Sequence, residues 1–316
     1  MTSIVFMGTP QFSVPILTGL VENGYAVKAV VTQPDRPVGR KRVLTASPVK
    51  QAAIKFNIPV FQPEKISGSD EMERIINLKP DLIITAAFGQ FLPEKLLAAA
   101  KVAAINVHGS LLPKYRGGAP VQYAIMNGDA ETGISIMDMV KAMDAGDVIA
   151  QSSIPIEADD DTASMFKKLS GLGRKMLLAT IPKLIDGTAT RTPQDPKQVV
   201  FSPTIKRSEE RLDFNQPARL VDAKVRALRP DPSAFTTIKG KRTKVWQTTP
   251  RSETTDLAPG CVVAKTKKQL VVAAGDSTTL QLDVIQPAGK PKQQIKDYLN
   301  GAGQSIQVGE QIISND

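Results

Sequence analysis

Short apolar runs alternate with helical patterns along the first half of this 316-residue chain. The runs that have the length of buried strands lie at 3–8, 26–32, 58–61, 81–87, 103–108, 132–139 and 147–156. Helical patterns separate several of them, at 47–56, 70–78, 93–100 and 118–127. A helix between consecutive strands allows those strands to run parallel in one sheet. The alternation therefore predicts an α/β fold with a Rossmann-like N-terminal domain that is built on a mostly parallel sheet.

The second part of the chain has a different organisation. A long helix is predicted over 160–186, with a break near Gly171 or Gly173. Residues 189–207 are rich in Thr, Pro and Gln, which favours a linker. A helix over 216–228 precedes short strand patterns at 234–238, 243–248, 260–264, 269–274 and 278–286. These short strands favour a small C-terminal β-barrel that is OB-like. We therefore expect one domain over 1–188 and a second over 208–316.

Composition excludes several classes of protein and site. The only cysteine is Cys261 and the only histidine is His108, so an intrachain disulfide and a zinc site of several Cys and His ligands are both excluded. No run of about 18 uncharged apolar residues exists, so we expect no membrane helix. Residues 205–316 contain 18 Lys and Arg against 12 Asp and Glu. This basic surplus is compatible with a solvated surface or with a polyanionic partner such as nucleic acid.

The N-terminal residues bear on location and on cofactor class. The first ten, MTSIVFMGTP, resemble neither a secretory signal nor a transit peptide, so we expect a cytoplasmic protein. Gly8 follows the first predicted strand, where dinucleotide-binding folds carry the fingerprint G-x-G-x-x-G. Pro10 and Ser13 stand where that fingerprint needs glycines. We therefore interpret Gly8 as a tight strand-to-helix turn and expect no nicotinamide cofactor.

The segment NVHGSLLP, at 106–113, is the first candidate for chemistry. Asn106 and His108 are two residues apart in a predicted strand, so they share one face near its carboxyl end. Ligands of open α/β sheets bind at that end. An amide donor beside an imidazole suits reactions at a carbonyl group. A lone histidine is more often structural, but this position favours an active site.

The segment DMVKAMDAGD, at 138–147, is the second candidate. Its three carboxylates lack the ligand spacing of a calcium loop, and we expect no metal. We interpret residues 144–147 as a turn that carries one carboxylate towards the site. A carboxylate beside His108 would orient the imidazole and favour its protonated form.

Both candidates lie in segments that resemble a known family. NVHGSLLPKYRGGAP at 106–120 and ETGISIMDMVKAMDAGD at 131–147 resemble the folate-dependent formyltransferases, whose catalytic trio matches Asn106, His108 and Asp144. Further segments resemble the members of that family that act on a tRNA: FMGTPQFSVPIL at 6–17, TQPDRPVGR at 32–40, SPVK at 47–50, FQPEK at 61–65 and VIQPAGK at 284–290.

The resemblance implies an activity and a set of contacts. The formyl group of 10-formyltetrahydrofolate would pass, without a metal, to the α-amino group of methionine on initiator tRNA. Asn106 and His108 would donate hydrogen bonds to the formyl oxygen, and Asp144 would hold His108. The implied folate-binding residues are Phe88, Gly89, Gln90, Phe91, Leu92, Ser110, Leu111, Leu112, Pro113 and Asp144. The implied tRNA-binding residues are Arg36, Arg40, Lys41 and Arg42.

Two alternatives remain open at this point. A nucleic-acid-binding protein without enzymatic activity would have no use for the catalytic trio. A formyltransferase acting on a small amine, such as a nucleotide or sugar, would have no use for the basic stretch 33–46 and the basic second domain. Without the resemblance, 33–46 would be interpreted as a solvated loop that has no apolar face. We expect the protein to be a monomer.

Overall fold

The computed structural model describes residues 1–39 and 41–314. Their contacts divide the chain into two compact units. The first, called unit 1, contains Met1–Pro120, Glu131–Pro155 and Phe166–Pro203. The second, called unit 2, contains Val121–Ala130, Ile156–Met165 and the chain from Thr204.

The elements up to residue 185 follow the predicted alternation. In chain order they are β1 (Ser3–Gly8), α1 (Val14–Glu22), β2 (Ala26–Val31), β3 (Arg36–Val38), β4 (Val43–Thr45), α2 (Pro48–Lys55), β5 (Val60–Phe61), α3 (Asp70–Asn77), β6 (Leu82–Ala86), α4 (Glu94–Leu97), β7 (Ala103–His108), α5 (Pro120–Met126), β8 (Glu131–Asp138), β9 (Val148–Pro155) and α6 (Thr162–Ile185). Ser47 caps α2, because its side chain accepts a hydrogen bond from the amide of Lys50.

A sheet with the strand order β5-β2-β1-β6-β7-β8-β9 forms the centre of unit 1. The first five strands in this order, β5, β2, β1, β6 and β7, are parallel to one another. Strand β8 runs antiparallel to β7, and β9 runs antiparallel to β8. Strand β6 is buried along its whole length, as expected for a strand that is covered on both faces. The prediction of an α/β domain with a mostly parallel sheet is confirmed.

Helix α6 corrects one prediction, because it runs from Thr162 to Ile185 without the expected break at Gly171 or Gly173. A Cβ atom at Gly173 would lie 3.0 Å from Val107 Cγ1 and 3.5 Å from Ile16 Cδ1. Gly173 therefore permits close packing between the helix and the sheet of unit 1. Packing, which a single sequence does not show, overrides the weak helix preference of glycine.

The prediction of an irregular loop over 33–46 is wrong, because part of this stretch forms two short paired strands. Strands β3 and β4 form an antiparallel hairpin, in which Pro37 pairs with Leu44 and Val38 with Val43. Three-residue strands are too short to show alternation, and Pro37 argued against a strand. The hairpin does carry apolar side chains, and those of Val38, Val43 and Leu44 are exposed.

Unit 2 contains an antiparallel sheet and its own hydrophobic core. Its later elements are α7 (Ala218–Ala227), β10 (Phe235–Ile238), β11 (Lys241–Arg251), β12 (Val262–Lys265), β13 (Leu270–Ala273), β14 (Thr279–Pro287), β15 (Gln293–Gln294) and α8 (Ile295–Leu299). The strand order is β10-β11-β14-β13-β12, and β15 pairs with β14. Val221 and Val225 of α7 are buried in this core. The predicted small β-barrel domain is confirmed, with the two-residue β15 as an addition.

No helix in the described part of the chain combines the length and the apolar character that a membrane crossing requires.

Candidate active site

The three predicted catalytic side chains meet at the carboxyl end of β7. Asn106 and His108 lie on this strand, and Asp144 lies in the loop between β8 and β9. His108 Nδ1 is 3.8 Å from Asp144 Oδ2, and Asn106 Nδ2 is 3.5 Å from Asp144 Oδ1. The first distance is that of a close charge pair, and the second is a long hydrogen bond. One carboxylate therefore faces both the amide and the imidazole.

The contacts of His108 determine which ring nitrogen is available for chemistry. The side chain is buried, and its Nε2 lies 2.9 Å from the carbonyl oxygen of Tyr115. A carbonyl oxygen only accepts hydrogen bonds, so Nε2 carries a hydrogen and donates it. Nδ1 is consequently the nitrogen that faces Asp144. The backbone of the loop after β7 thus fixes both the ring orientation and the tautomer of a neutral ring.

Asp144 is held in place through its backbone and its carboxylate. The amide of Gly117 donates a hydrogen bond of 2.9 Å to Asp144 Oδ2. The φ angle of Asp144 is +49°, in the left-handed region that most side chains avoid. Tyr115, whose carbonyl holds His108, has a φ of +65°. Unfavourable backbone conformations of this kind concentrate at functional sites.

Thr85 orients the Asn106 amide, and sequence reasoning missed it. It lies directly beside Asn106 in the pairing of β6 with β7. Its buried hydroxyl donates a hydrogen bond of 2.8 Å to Asn106 Oδ1. Because Oδ1 is engaged there, the donor Nδ2 is turned towards Asp144. A lone threonine in the apolar strand next to the candidate site was the signal that could have revealed this role.

The other carboxylates of 138–147 have separate surroundings. Asp138 Oδ2 accepts a hydrogen bond of 2.6 Å from Arg191 Nε. Among the described residues, no group of three or more His, Cys, Asp and Glu side chains is arranged to hold a metal ion. Asp144 is the carboxylate of this stretch that contacts Asn106 and His108.

The first predicted folate-binding segment, 88–92, is largely occupied by internal contacts. Phe88 and Leu92 are buried in the core of unit 1. Gln90 Oε1 accepts a hydrogen bond of 2.7 Å from the amide of Ile66, and its Nε2 donates one of 3.1 Å to Pro63 O. Phe91 is 59% exposed. Phe91 and the backbone, including Gly89 with its φ of +83°, are therefore the parts of this segment that a ligand can reach.

The second predicted folate-binding segment, 110–113, is fixed by side chains of β8 and β9. Ser135 Oγ donates to Ser110 O at 2.6 Å and accepts from the amide of Leu112 at 3.0 Å. Gln151 Nε2 donates to Leu112 O at 2.9 Å. The Ser110 side chain is buried and donates to the carbonyl oxygen of Lys114. Of this segment, Leu111 and Pro113 are the partly exposed side chains.

Three of the predicted tRNA-binding residues, Arg36, Lys41 and Arg42, belong to the β3–β4 hairpin. Arg36 forms an exposed ion pair with Glu64. Lys41 and Arg42 are exposed at the turn, and Arg40 lies outside the described residues. Hydrogen bonds from Lys50 and Gln62 at the base of the hairpin hold the pKa of Asp35 below its usual value. These two hydrogen bonds to Asp35 hold the base of the hairpin in place below the charged turn.

Comparison with known proteins gives consistent family matches. A formyl transferase model matches residues 1–181, and a model of the formyl transferase C-terminal domain matches residues 204–303. A methionyl-tRNA formyltransferase of Levilactobacillus brevis is 64% identical over 312 residues, which are 99% of each chain. A protein of the same name from Latilactobacillus sakei is 61% identical over 316 residues, covering 100% of this chain and 99% of that protein.

A solved structure extends the comparison to the fold. The N-formyltransferase of Helicobacter canadensis, in complex with folinic acid and dTDP-3-aminofucose, superposes with a TM-score of 0.69 and 17% identity. The match covers 91% of this chain and all of that chain. The two folds are alike, but the high sequence identity over the whole length is to the methionyl-tRNA formyltransferases. The chain therefore belongs to the formyltransferase family and, within it, to the methionyl-tRNA formyltransferases.

Proposed function

We propose that this chain transfers the formyl group of 10-formyltetrahydrofolate to the α-amino group of methionine on initiator tRNA. The observation that carries the proposal is the meeting of Asn106, His108 and Asp144 at the carboxyl end of β7. Full-length identity of 64% to a protein named for this activity supports it. In this proposal residues 1–188 form the catalytic domain, 189–207 connect the domains and 208–316 bind tRNA.

The reaction places defined demands on the site. A bond forms between the methionine amine and the formyl carbon, the bond from that carbon to the folate nitrogen breaks, and one proton moves from the amine to that nitrogen. Negative charge develops on the formyl oxygen as the amine attacks. Preorganised donors that point at such an oxygen lower the barrier by several kcal/mol in comparable sites.

Asn106 Nδ2 is an available donor, and His108 Nδ1 becomes one when the ring takes up a second proton. Thr85 holds Oδ1 at the other end of the amide, so Nδ2 points into the site, where the formyl oxygen would lie. Since Nε2 donates to Tyr115 O, Nδ1 is the ring nitrogen that can exchange a proton with the reacting groups. Asp144 Oδ2, at 3.8 Å, attracts the ring whenever it carries that proton. The trio thus stabilises the negative charge on the formyl oxygen and accepts the proton that the amine releases.

We place the folate against 88–92 and 110–113, at the same edge of the sheet as the trio. The exposed ring of Phe91 suits the flat face of a pterin, and the partly exposed side chains of Leu111 and Pro113 offer further apolar contacts. The tRNA is placed against Arg36, Arg40, Lys41 and Arg42 and against the basic residues of the C-terminal domain. We further propose that the protein acts in the cytoplasm as a monomer.

The proposal is tested by following the formyl group. The purified chain is incubated with initiator Met-tRNA and 10-formyltetrahydrofolate that carries a radiolabelled formyl group. We expect label in formylmethionine after the ester is hydrolysed, with one tetrahydrofolate formed for each label transferred. Label that stays in the folate, or that appears without a gain of formylmethionine, would refute the proposal.

Replacing Thr85 with valine is expected to lower kcat about tenfold, the value of one orienting hydrogen bond. Valine keeps the volume but removes the donor to Asn106 Oδ1, so the amide can rotate. The KM for each substrate should change little. Thr85→Ser is the matched control, because it restores the hydroxyl and should restore most of the rate. A valine variant with wild-type kcat would show that Thr85 does not orient the amide.

Replacing Arg42 with alanine is expected to raise the KM for Met-tRNA about tenfold and to make its salt dependence shallower. The exposed guanidinium would otherwise contact phosphates or base edges. The KM for folate should not change. Lys55→Ala, an exposed basic residue of α2, is the control.

The same hairpin gives an independent readout. Exposed turns are preferred sites of proteolysis, so trypsin should cut first at this turn in the free protein. Bound Met-tRNA should protect it. If tRNA gives no protection and Arg42→Ala keeps wild-type kinetics, the hairpin is a solvated charged segment with no tRNA role.

A further inference from the structure

The segment 192–202 connects the two loops that carry the site, although its composition predicts a linker. Thr192 and Val148 exchange two backbone hydrogen bonds of 2.9 Å. Further along, the amide of Ser202 donates to Arg116 O at 2.8 Å, and the amide of Ala119 donates to Ser202 O at 3.0 Å. The segment is therefore paired at one end with the start of β9 and at the other with the loop after His108.

Gln194 lies between these two paired ends, and its side chain points towards the Asp144 loop. Its Nε2 donates to two carbonyl oxygens, Asp144 O at 2.9 Å and Gly146 O at 2.7 Å. Its Oε1 accepts a hydrogen bond of 3.0 Å from Arg116 Nε. Its immediate neighbours in sequence are exposed, whereas Gln194 is half-buried. One side-chain amide thus uses both hydrogens and its oxygen to join the Asp144 loop to the loop after β7.

The loop that Gln194 holds has little apolar anchoring where Asp144 sits. Val140 is 45% exposed and Met143 is 61% exposed. Asp144 itself has the unfavourable left-handed φ of +49°. A conformation of this kind persists only when its surroundings determine it. The two hydrogen bonds from Gln194 bind the carbonyl groups on either side of Ala145 and so restrain the turn that aims the carboxylate.

The partner of Gln194 on the other loop is equally close to the trio. Arg116 lies between Tyr115, whose carbonyl accepts from His108 Nε2, and Gly117, whose amide donates to Asp144 Oδ2. A shift of Arg116 would move both contacts. Through one amide, Gln194 therefore restrains the orientation of His108 and the position of Asp144 together.

We propose that Gln194 is a positioning residue for the catalytic trio, acting through the backbone of the Asp144 loop. This inference rests on the proposed function for its effect on rate, but the restraint of the loop is independent of substrate. Gln194 touches none of the reacting atoms in this proposal. Its role is to keep the Asp144 carboxylate at the distance from His108 that transfer requires.

The first test compares three variants by steady-state kinetics and thermal unfolding. Gln194→Leu removes all three hydrogen bonds and should lower kcat about tenfold to a hundredfold, with little change in either KM. Gln194→Glu keeps the acceptor for Arg116 but loses both donors, so it should be impaired as well. Gln198→Leu, on a neighbouring exposed glutamine that contacts Asp195, should behave as wild type. A fully active Gln194→Glu would overturn the proposal.

The second test separates positioning from general stability. Hydrogen exchange in 139–147 should be faster in Gln194→Leu than in wild type, and this measurement needs no activity. In a background of Asp144→Ala, adding Gln194→Leu should cause no further loss of rate, because the group that it positions is absent. Additive losses, or unchanged exchange in the loop, would overturn the proposal. Failure of the proposed function would appear differently, as a wild-type protein that does not formylate Met-tRNA.

Discussion

Replacing His108 with alanine is expected to reduce the rate of formyl transfer by about a hundredfold or more while the protein remains folded. The chain contains no other histidine, so no second imidazole can replace it. The buried ring is oriented by Tyr115 O and presents Nδ1 to the site. The variant should be compared with wild type at saturating concentrations of both substrates, with circular dichroism to establish folding.

Chemical modification gives a control that needs no variant. Diethyl pyrocarbonate can modify only one imidazole in this chain, and inactivation should follow that single event. Folate bound beside His108 should slow the modification. Near-normal turnover by the alanine variant, or full activity after the ring is modified, would show that His108 is a structural residue and that the mechanism is wrong.

Replacing Asp144 with asparagine is expected to lower kcat about a hundredfold although the shape of the side chain is kept. The amide oxygen can still accept the hydrogen bond from Gly117, but the negative charge that faces His108 Nδ1 is lost. Stability should change little, because the loop keeps its backbone contacts with Gln194. Single-turnover transfer is the measurement that isolates this effect from product release.

Asp147→Asn is the matched control, since it removes a charge from the same loop away from the trio contacts. It should keep most of the activity. If Asp144→Asn works well and Asp147→Asn does not, the carboxylate partner has been assigned to the wrong residue. Asp138 is a weaker candidate for that role, because its carboxylate is paired with Arg191.

The sequence alone predicted the parts of the site that depend on strand geometry. Asn106 and His108 share a face because strand side chains alternate, and they lie near the end of a strand where ligands bind. Residue spacing could not place Asp144 beside them, because 35 residues separate it from His108 and their distance in space depends on the fold. That placement came from resemblance, and the structure now supplies the contacts.

Other parts of the site could not be predicted because they depend on backbone groups or tertiary contacts. Every residue has a carbonyl, so nothing in the sequence marks Tyr115 O as the partner of His108. In the sequence, Gln194 looks like the other polar residues of its segment. Only the tertiary fold shows that its side chain contacts the Asp144 loop. Gly173 was interpreted as a helix break, whereas it allows close packing against Val107. Strands β3 and β4 are too short for a periodic pattern.

The choice of acceptor distinguishes the proposed function from formylation of a small amine. The folds of this protein and of a formyltransferase crystallised with dTDP-3-aminofucose are alike, so fold alone does not choose between tRNA and a small amine. The values of kcat/KM for initiator Met-tRNA and for dTDP-3-aminofucose should be measured with 10-formyltetrahydrofolate as donor. We expect efficient formylation of Met-tRNA and no enzyme-dependent formylation of the amino sugar. Formylation of the sugar without formylation of Met-tRNA would contradict the proposed function.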